Sequence, residues 1–188
     1  MGGSFDPPHL GHLHLIKVAQ TRLGLDWVWI VPAAGNPLKR TATSYRDRLA
    51  AAERTLKGPR VKVSSIEGQL GLVYTIDLIE RLKRLCPHAR FVWIMGADNL
   101  SQFDRWRSWR KIASLVPICV VSRPQYGPRP LSSRFARTFS AQRLPAERAL
   151  SLPFAHPPAW VYLPAPLDPT TSTELRVLMT AAAATPPI

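Results

Sequence analysis

A doubly wound α/β fold, a parallel sheet with helices on both faces, is what this sequence predicts, and three observations predict it. Short apolar runs at residues 27–31, 91–95 and 117–121 have the length and continuity of strands buried on both sides. Helical periodicity fills the stretches between them, and strands alternating with helices at this spacing imply βαβ units with right-handed crossovers. A glycine-rich string at the start, Gly2-Gly3-Ser4-Phe5-Asp6-Pro7-Pro8-His9-Leu10-Gly11-His12, runs directly into the first helical stretch. That is how folds of this Rossmann-like type hold phosphate.

Gly2 and Gly3 let a ligand approach the backbone closely. Pro7-Pro8 forces an extended lead-in, so a helix begins near Gly11 and carries Leu13, Ile16, Ala19 and Leu23 on one face. The free N–H groups of its first turn and the rings of His9 and His12 then point at one volume. A helix N-terminus carries partial positive charge, and histidines placed there can donate to an anion whose charge grows during reaction. Phosphoryl and nucleotidyl transfer require such donors. The same pair also suits a metal or a plain surface, so it does not decide alone. In this fold a central strand precedes the glycine turn, and only Met1 stands there. The expectation is a start placed too late or a truncated chain. A chain that begins at Met1 is expected to lack the middle strand and to lose stability.

The run 27–31 ends at Pro32 and leads into a loop containing Gly35, Asn36 and Pro37. Ser44 is placed to cap a helix carrying Leu49, Ala52 and Leu56, closed by Gly58-Pro59. Val61-Lys62-Val63 reads as a short strand. Residues 74–85 form a helix with Ile76, Ile79, Leu82 and Leu85 on one stripe, stopped by Pro87. The run 91–95 ends in Gly96-Ala97-Asp98, residues 99–115 read as helical, and 117–121 is the next strand. From 126 to 159 the pattern weakens into short helical stretches near 132–140 and 145–150; residues 160–163 are the last strand, and 164–169 a rigid connection. Thr171 and Glu174 fit a capping box ahead of Leu175, Leu178, Met179 and Ala182. The hydroxyls and free N–H groups there make a second phosphate cradle, onto which Arg176 can fork. No internal repeat interrupts this order, so residues 1–188 read as a single domain.

Ligands of open α/β sheets bind beyond the carboxyl ends of the strands, where strand order reverses. His9, His12 and the Gly96-Ala97-Asp98 turn should therefore line one crevice. There the Asp98 carboxylate suits ribose hydroxyls or a metal-bound water, and equally a helix cap.

With 46% hydrophobic and 20% charged residues among 188, the composition is that of a soluble globular protein. No apolar run approaches the ~18 residues a membrane span needs, and no charged-then-apolar leader opens the chain. A cytoplasmic protein without a membrane partner is expected. Cys86 and Cys119 have no CxxC spacing and read as buried free thiols. A net charge of +13 admits a nucleic-acid partner, small polyanions, or a solvated arginine-rich face. The arginines are scattered, so a non-catalytic basic RNA-binding module is carried only as the alternative of a different class. It would show steeply salt-dependent retention on nucleic acid, and it leaves the ordered phosphate-binding stretches without a reason.

The string at residues 2–12 resembles the signature of the nucleotidyltransferase superfamily related to class I aminoacyl-tRNA synthetases, and within it most resembles bacterial nicotinate-nucleotide adenylyltransferases. Gly96-x-Asp98-x7-Trp106, with Trp109 and Ile112 beyond, resembles that family's second block, and Ser172-Thr173-Glu174-Leu175-Arg176 resembles its S-T-x-I-R block. Asn36-Pro37-Leu38-Lys39 looks like its N-P-x-K loop, with Leu38 where histidine is common, and Tyr74-Thr75-x-Asp77 looks like its Y-T-x-D helix opening. The resemblance spans Gly2 to Arg176, and the chain departs from the family after it.

What the resemblance implies is adenylyl transfer from ATP to nicotinate mononucleotide in NAD biosynthesis. His9 and His12 would be catalytic. Gly2, Gly3, Ser4, Phe5, Gly11, Gly96, Asp98, Ser172, Thr173 and Arg176 would hold ATP. Lys39, a phosphate ligand, would serve nicotinate mononucleotide together with Thr75 and Trp106. The matching tryptophan stacks on the pyridine ring, which suits an electron-poor cation against an indole face; on spacing alone, Trp106 and Trp109 read as core anchors. Mg²⁺ would ride on the ATP phosphates, with no direct protein ligand and Asp98 reaching it through water. Sister transferases acting on pantetheine phosphate or with cytidine nucleotides share the first and third blocks but lack the Tyr74-Thr75 and Trp106 features. A nicotinamide mononucleotide acceptor and a homo-oligomer both remain admissible.

Overall fold

Helix α1 (Leu10–Leu23) starts where the proline-stiffened approach ends, with His9 extended at its N-cap (φ −150°, ψ 171°) and Gly24 closing it in the left-handed region at φ 62°. The structure, a computed structural model, describes residues 1–35, 41–122 and 129–164. Strands β1 (Gly2–Gly3), β2 (Val28–Pro32) and β3 (Val61–Val63) form one parallel ladder in the order β1-β2-β3. Strands β4 (Trp93–Gly96), β5 (Ile118–Val121), β6 (Arg143–Leu144) and β7 (Trp160–Leu163) form a second, in the order β4-β5-β7-β6 and again parallel throughout.

Both faces of the sheet are covered, and the period-two geometry of a strand sorts its residues between them. Trp93 and Met95 of β4 and Ile118 and Val120 of β5 point into one buried cluster, whereas Ile94, Cys119 and Val121 point into the other. Helix α4 (Thr75–Leu85) and helix α6 (Trp109–Leu115) cover the first face, and α1 covers the second. This is the doubly wound arrangement expected from the sequence. Cys119 is fully buried and free, and burial pushes its thiol pKa up, which leaves it inert. Cys86 is also free but only half-buried. Among the described residues, no helix is long and apolar enough to cross a membrane.

Strand β1 is two residues long and stands at the end of its ladder. Met1 donates its nitrogen to the Trp29 carbonyl at 2.8 Å and accepts from Val31 N–H at 2.9 Å, and Gly3 accepts from Ala33 N–H at 2.8 Å, so pairing with β2 begins at the first residue. On its other side β1 meets a side chain. A Cβ on Gly2 would lie 2.7 Å from Trp93 Cη2, so glycine is what allows the Trp93 ring to pack against this backbone. Among the described residues, no ladder joins β1 to β4.

Three other expectations need correction. Residues 99–115 are not one helix: α5 (Ala97–Leu100), a 3-10 turn (Phe103–Arg105) and α6 are separated, with Ser108 at φ 54° breaking the run. Helix α2 (Tyr45–Thr55) is capped by Ser44 as expected, but the side chain it buries alongside Ala52 is Arg48, while Leu49 is only half-buried. A short helix, α3 (Ile66–Leu70), stands where the sequence suggested none, and Leu78 rather than Leu85 completes the buried face of α4. The stretch 145–150 is 3-10 (Ala146–Phe154), and within 132–140 lies α7 (Arg134–Thr138).

Candidate functional site

His9 and His12 are brought together as their spacing requires. His12 N–H donates to the His9 carbonyl at 2.9 Å, the first-turn bond of α1, and His9 N–H donates to His12 Nδ1 at 3.3 Å. Their ring centroids lie 3.9 Å apart, and the Phe5 ring stands 5.0 Å from that of His12. Both imidazoles are buried, at 3% and 9% exposure. Because His12 Nδ1 accepts, the proton of the neutral ring sits on Nε2, which makes Nε2 a donor. Gly11 is buried in the same turn. Phe5 adopts φ 48°, a left-handed conformation that costs a non-glycine residue roughly 1–2 kcal/mol. Strain of this kind persists where the surrounding structure imposes it, and sites are where it gathers.

On either side of Phe5, Ser4 and Asp6 are held by a buried charged cluster that the sequence reading missed. Arg48, 3% exposed, donates from Nη1 to the Ser4 carbonyl at 2.6 Å, from Nη2 to the Ala33 carbonyl at 2.8 Å and from Nε to the Thr43 carbonyl at 3.4 Å. Asp6 accepts from Ala42 N–H at 2.6 Å and from the Thr43 hydroxyl at 2.7 Å. Glu67, 4% exposed, accepts from Ala34 N–H at 3.1 Å. Burial pushes the Glu67 carboxyl up to about 7, with Ala34 N–H and Arg48 pulling against that rise. Burial lowers the Arg48 guanidinium from its usual value, opposed by Asp6, Tyr45 and Glu67. One signal was available: an arginine in the helical register of Ala52, where an apolar residue belongs.

Thr75 and Trp106 sit on segments that Arg107 ties together. Thr75 opens α4 behind an extended Tyr74, whose carbonyl accepts from Asp77 N–H at 3.1 Å and Leu78 N–H at 3.2 Å. The Arg107 guanidinium lies 4.6 Å from the Tyr74 ring centroid and 4.0 Å from Asp77, which ties the start of α4 to the segment carrying Trp106. Trp106 is half-buried, edge-on to Trp93 at 6.3 Å and to Phe103 at 5.1 Å. Trp109 is a core residue, 6% exposed among Phe103, Phe135 and Phe139. The two corners are joined through Trp93, which touches Gly2 on one side and Trp106 on the other.

Gly96 ends β4 and Asp98, half-buried, lies in the first turn of α5, at the carboxyl end of the strand whose Trp93 packs on Gly2. Lys39 and the block with Ser172, Thr173 and Arg176 lie outside the described residues. Among the described residues no cluster of three or more His, Cys, Asp or Glu is set to hold a metal.

Residues 1–178 match the family model described as cytidylyltransferase-like. An Agrobacterium fabrum protein named "Probable nicotinate-nucleotide adenylyltransferase" is 45% identical over 177 residues, covering 93% of this chain and 95% of that protein. A Rhizobium meliloti protein of the same name is 43% identical over 177 residues, covering 93% and 94%. The fold matches that of the Plasmodium falciparum nicotinic acid mononucleotide adenylyltransferase complexed with APC, at a TM-score of 0.64 and 16% identity, covering 94% of this chain and 80% of that one. On a family match across both corners of the site and relatives of such identity over nearly its whole length, the chain belongs to the cytidylyltransferase-like family and, within it, groups with the nicotinate-nucleotide adenylyltransferases.

Proposed function

We propose that the chain transfers the adenylyl group of ATP to nicotinate mononucleotide, releasing pyrophosphate and forming nicotinate adenine dinucleotide, a step of NAD biosynthesis in the cytoplasm. The observation that carries this is the histidine pair at the start of α1, two buried rings 3.9 Å apart with the His12 proton directed to Nε2. A phosphate oxygen of the mononucleotide forms a bond to the α-phosphorus of ATP while the bond from that phosphorus to the bridging β-oxygen breaks. The attacking oxygen is already ionised at neutral pH and pyrophosphate departs as an anion, so no general base is needed. His9 and His12 donate to the α-phosphate and the bridging oxygen, where charge grows as the bond breaks.

Ser4, Phe5 and the backbone of Gly2, Gly3 and Gly11 form the floor on which ATP lies, and Gly96 and Asp98 receive the adenosine. Lys39, Ser172, Thr173 and Arg176 hold phosphates, a reading supported by their place in the family's blocks. Thr75 meets the nicotinate carboxylate through hydroxyl and N–H, and Trp106 stacks on the pyridine ring. A half-buried carboxylate, Asp98, at a strand's carboxyl end suits Mg²⁺, which keeps most of its waters and needs few carboxylates. Bound with ATP, the ion would neutralise phosphate charge, and Asp98 would hold one of its waters.

Pyrophosphate release from ATP and Mg²⁺ tests the reading, with nicotinate mononucleotide, nicotinamide mononucleotide and phosphopantetheine compared as acceptors. Turnover is expected with nicotinate mononucleotide in clear preference. Preference for either other acceptor moves the assignment to a sister transferase, and no release from folded protein overturns it.

A further inference from the structure

We propose that Arg48 is a positioning residue for adenylyl transfer, its buried guanidinium setting the histidine-bearing turn against the two ends of the chain stretch 36–40. The inference rests on the catalytic reading of His9 and His12 given above. The three carbonyls that accept from this one side chain lie after β1, after β2 and just before α2, at Ser4, Ala33 and Thr43. Ser4 lies between the β1 glycines and the strained Phe5, and so sets the direction in which the chain leaves for His9. Ala33 leaves β2 and Thr43 leads into α2, so the same guanidinium spans the stretch that contains Lys39.

Two carboxylates complete the grip from opposite ends. Glu67, from α3, holds Ala34 N–H on the leaving side; Asp6, from the histidine turn itself, holds Ala42 N–H and the Thr43 hydroxyl on the returning side. Both act electrostatically on Arg48, and the Tyr45 ring flanks it with its centroid 5.7 Å from the guanidinium carbon. Stability alone gives little reason for such a cluster, because well-packed apolar residues of similar volume stabilise a core as well or better than a buried ion pair. What an apolar residue cannot do is fix three carbonyls at set angles. A planar fork of donors does this, and the point charge of lysine does not. An error of about 1 Å in the placement of reacting groups can cost a hundredfold in rate.

Arg48→Lys is the decisive variant, since it keeps the cation between the two carboxylates and loses the fork. With folding followed by circular dichroism and thermal melting, kcat is expected to fall at least tenfold at temperatures where the variant is folded. KM for ATP and for nicotinate mononucleotide should each move less than about threefold, in keeping with lost alignment and not lost binding. A folded Arg48→Lys with kcat within twofold of the parent overturns the proposal, as does a loss confined to KM. Should Arg48→Lys fail to fold, Glu67→Gln decides on the same assay: a kcat loss of threefold or more at unchanged KM supports positioning, and a smaller one rejects it. His12→Ala, run alongside, reports on the histidine reading by itself. Normal turnover there would sink the chemistry whatever Arg48 does, while a dead His12→Ala with an active, folded Arg48→Lys sinks only the positioning role.

Discussion

The β1-β2-β3 side of the sheet and the β4-β5-β7-β6 side meet where Trp93 packs on Gly2, and they are held together by different forces. On the first side a buried guanidinium and two carboxylates grip backbone atoms at Ser4, Ala33, Ala34, Ala42 and Thr43. On the second, rings lock together: Phe103 with Trp106 at 5.1 Å, Phe103 with Phe135 at 5.2 Å, and Phe135 with Trp160 at 5.3 Å. Charge networks are directional, so they place backbone accurately, and their strength depends on protonation. Aromatic packing buries large areas with looser angular demands. The aromatic side should therefore report damage first as lost stability, and the charged side first as lost turnover.

The largest effect should come from Trp109→Ala. Emptying a buried indole site among Phe103, Phe135 and Phe139 is expected to cost about 3–5 kcal/mol in denaturant unfolding. Trp106→Ala sharpens the comparison from within the same side. Half-buried, it should lose less stability but raise KM for nicotinate mononucleotide roughly tenfold, the scale of one lost ring-on-cation contact. Equal losses of stability in the two variants would erase the distinction between the core tryptophan and the binding one.

His12→Ala comes next, on the charged side. Turnover should fall by roughly 10²–10³, the cost of one donor to developing charge, about 3–4 kcal/mol in barrier, with only minor change in unfolding free energy. Pyrophosphate release measured alongside a melting curve checks both halves of that statement. A variant that loses stability and keeps its turnover would reverse the roles assigned to the two sides.

Much of this division could be read from the sequence, and what escaped shares one physical cause. The strands, the start of α1 at the proline-stiffened approach and the opening of α4 at Tyr74-Thr75 follow from local chemistry: apolar runs, prolines, caps. The meeting of His9 with His12 also follows, because an N-cap residue and the third residue of the helix face each other across the first turn. Arg48 and Glu67 did not show, since a charged residue on a helix is read as solvated unless its partners are known. Those partners, Ser4, Ala33 and Ala34, come from other segments. The break at Ser108 was hidden for a similar reason: packing of Trp106 and Trp109 on Phe103 imposes a left-handed residue that no glycine announces.

The effect most specific to the charged side is a pH dependence carried by Glu67. Its carboxyl is faced by Ala34 N–H, by the Arg48 guanidinium from α2 and by the Tyr45 hydroxyl, and burial outweighs them to raise its pKa from 4.5 to about 7. Between those two values the folded protein holds a proton that the unfolded chain has released. Its contribution to stability is therefore fully present below pH 4.5 and is lost as pH rises through about 7. Over the whole window the loss is on the order of 3 kcal/mol at most. Glu67→Gln carries no such proton. The difference in unfolding free energy between parent and variant should thus be level at low pH, shift against the parent across that window, and level off above it. Urea titrations at a series of pH values give the curve directly. Parallel profiles would mean that Arg48 holds Glu67 ionised throughout, as a tight ion pair. On the aromatic side burial raises the Cys119 thiol and the Tyr162 hydroxyl, which stay protonated across that window, so Trp106→Ala should leave the pH profile of stability unchanged.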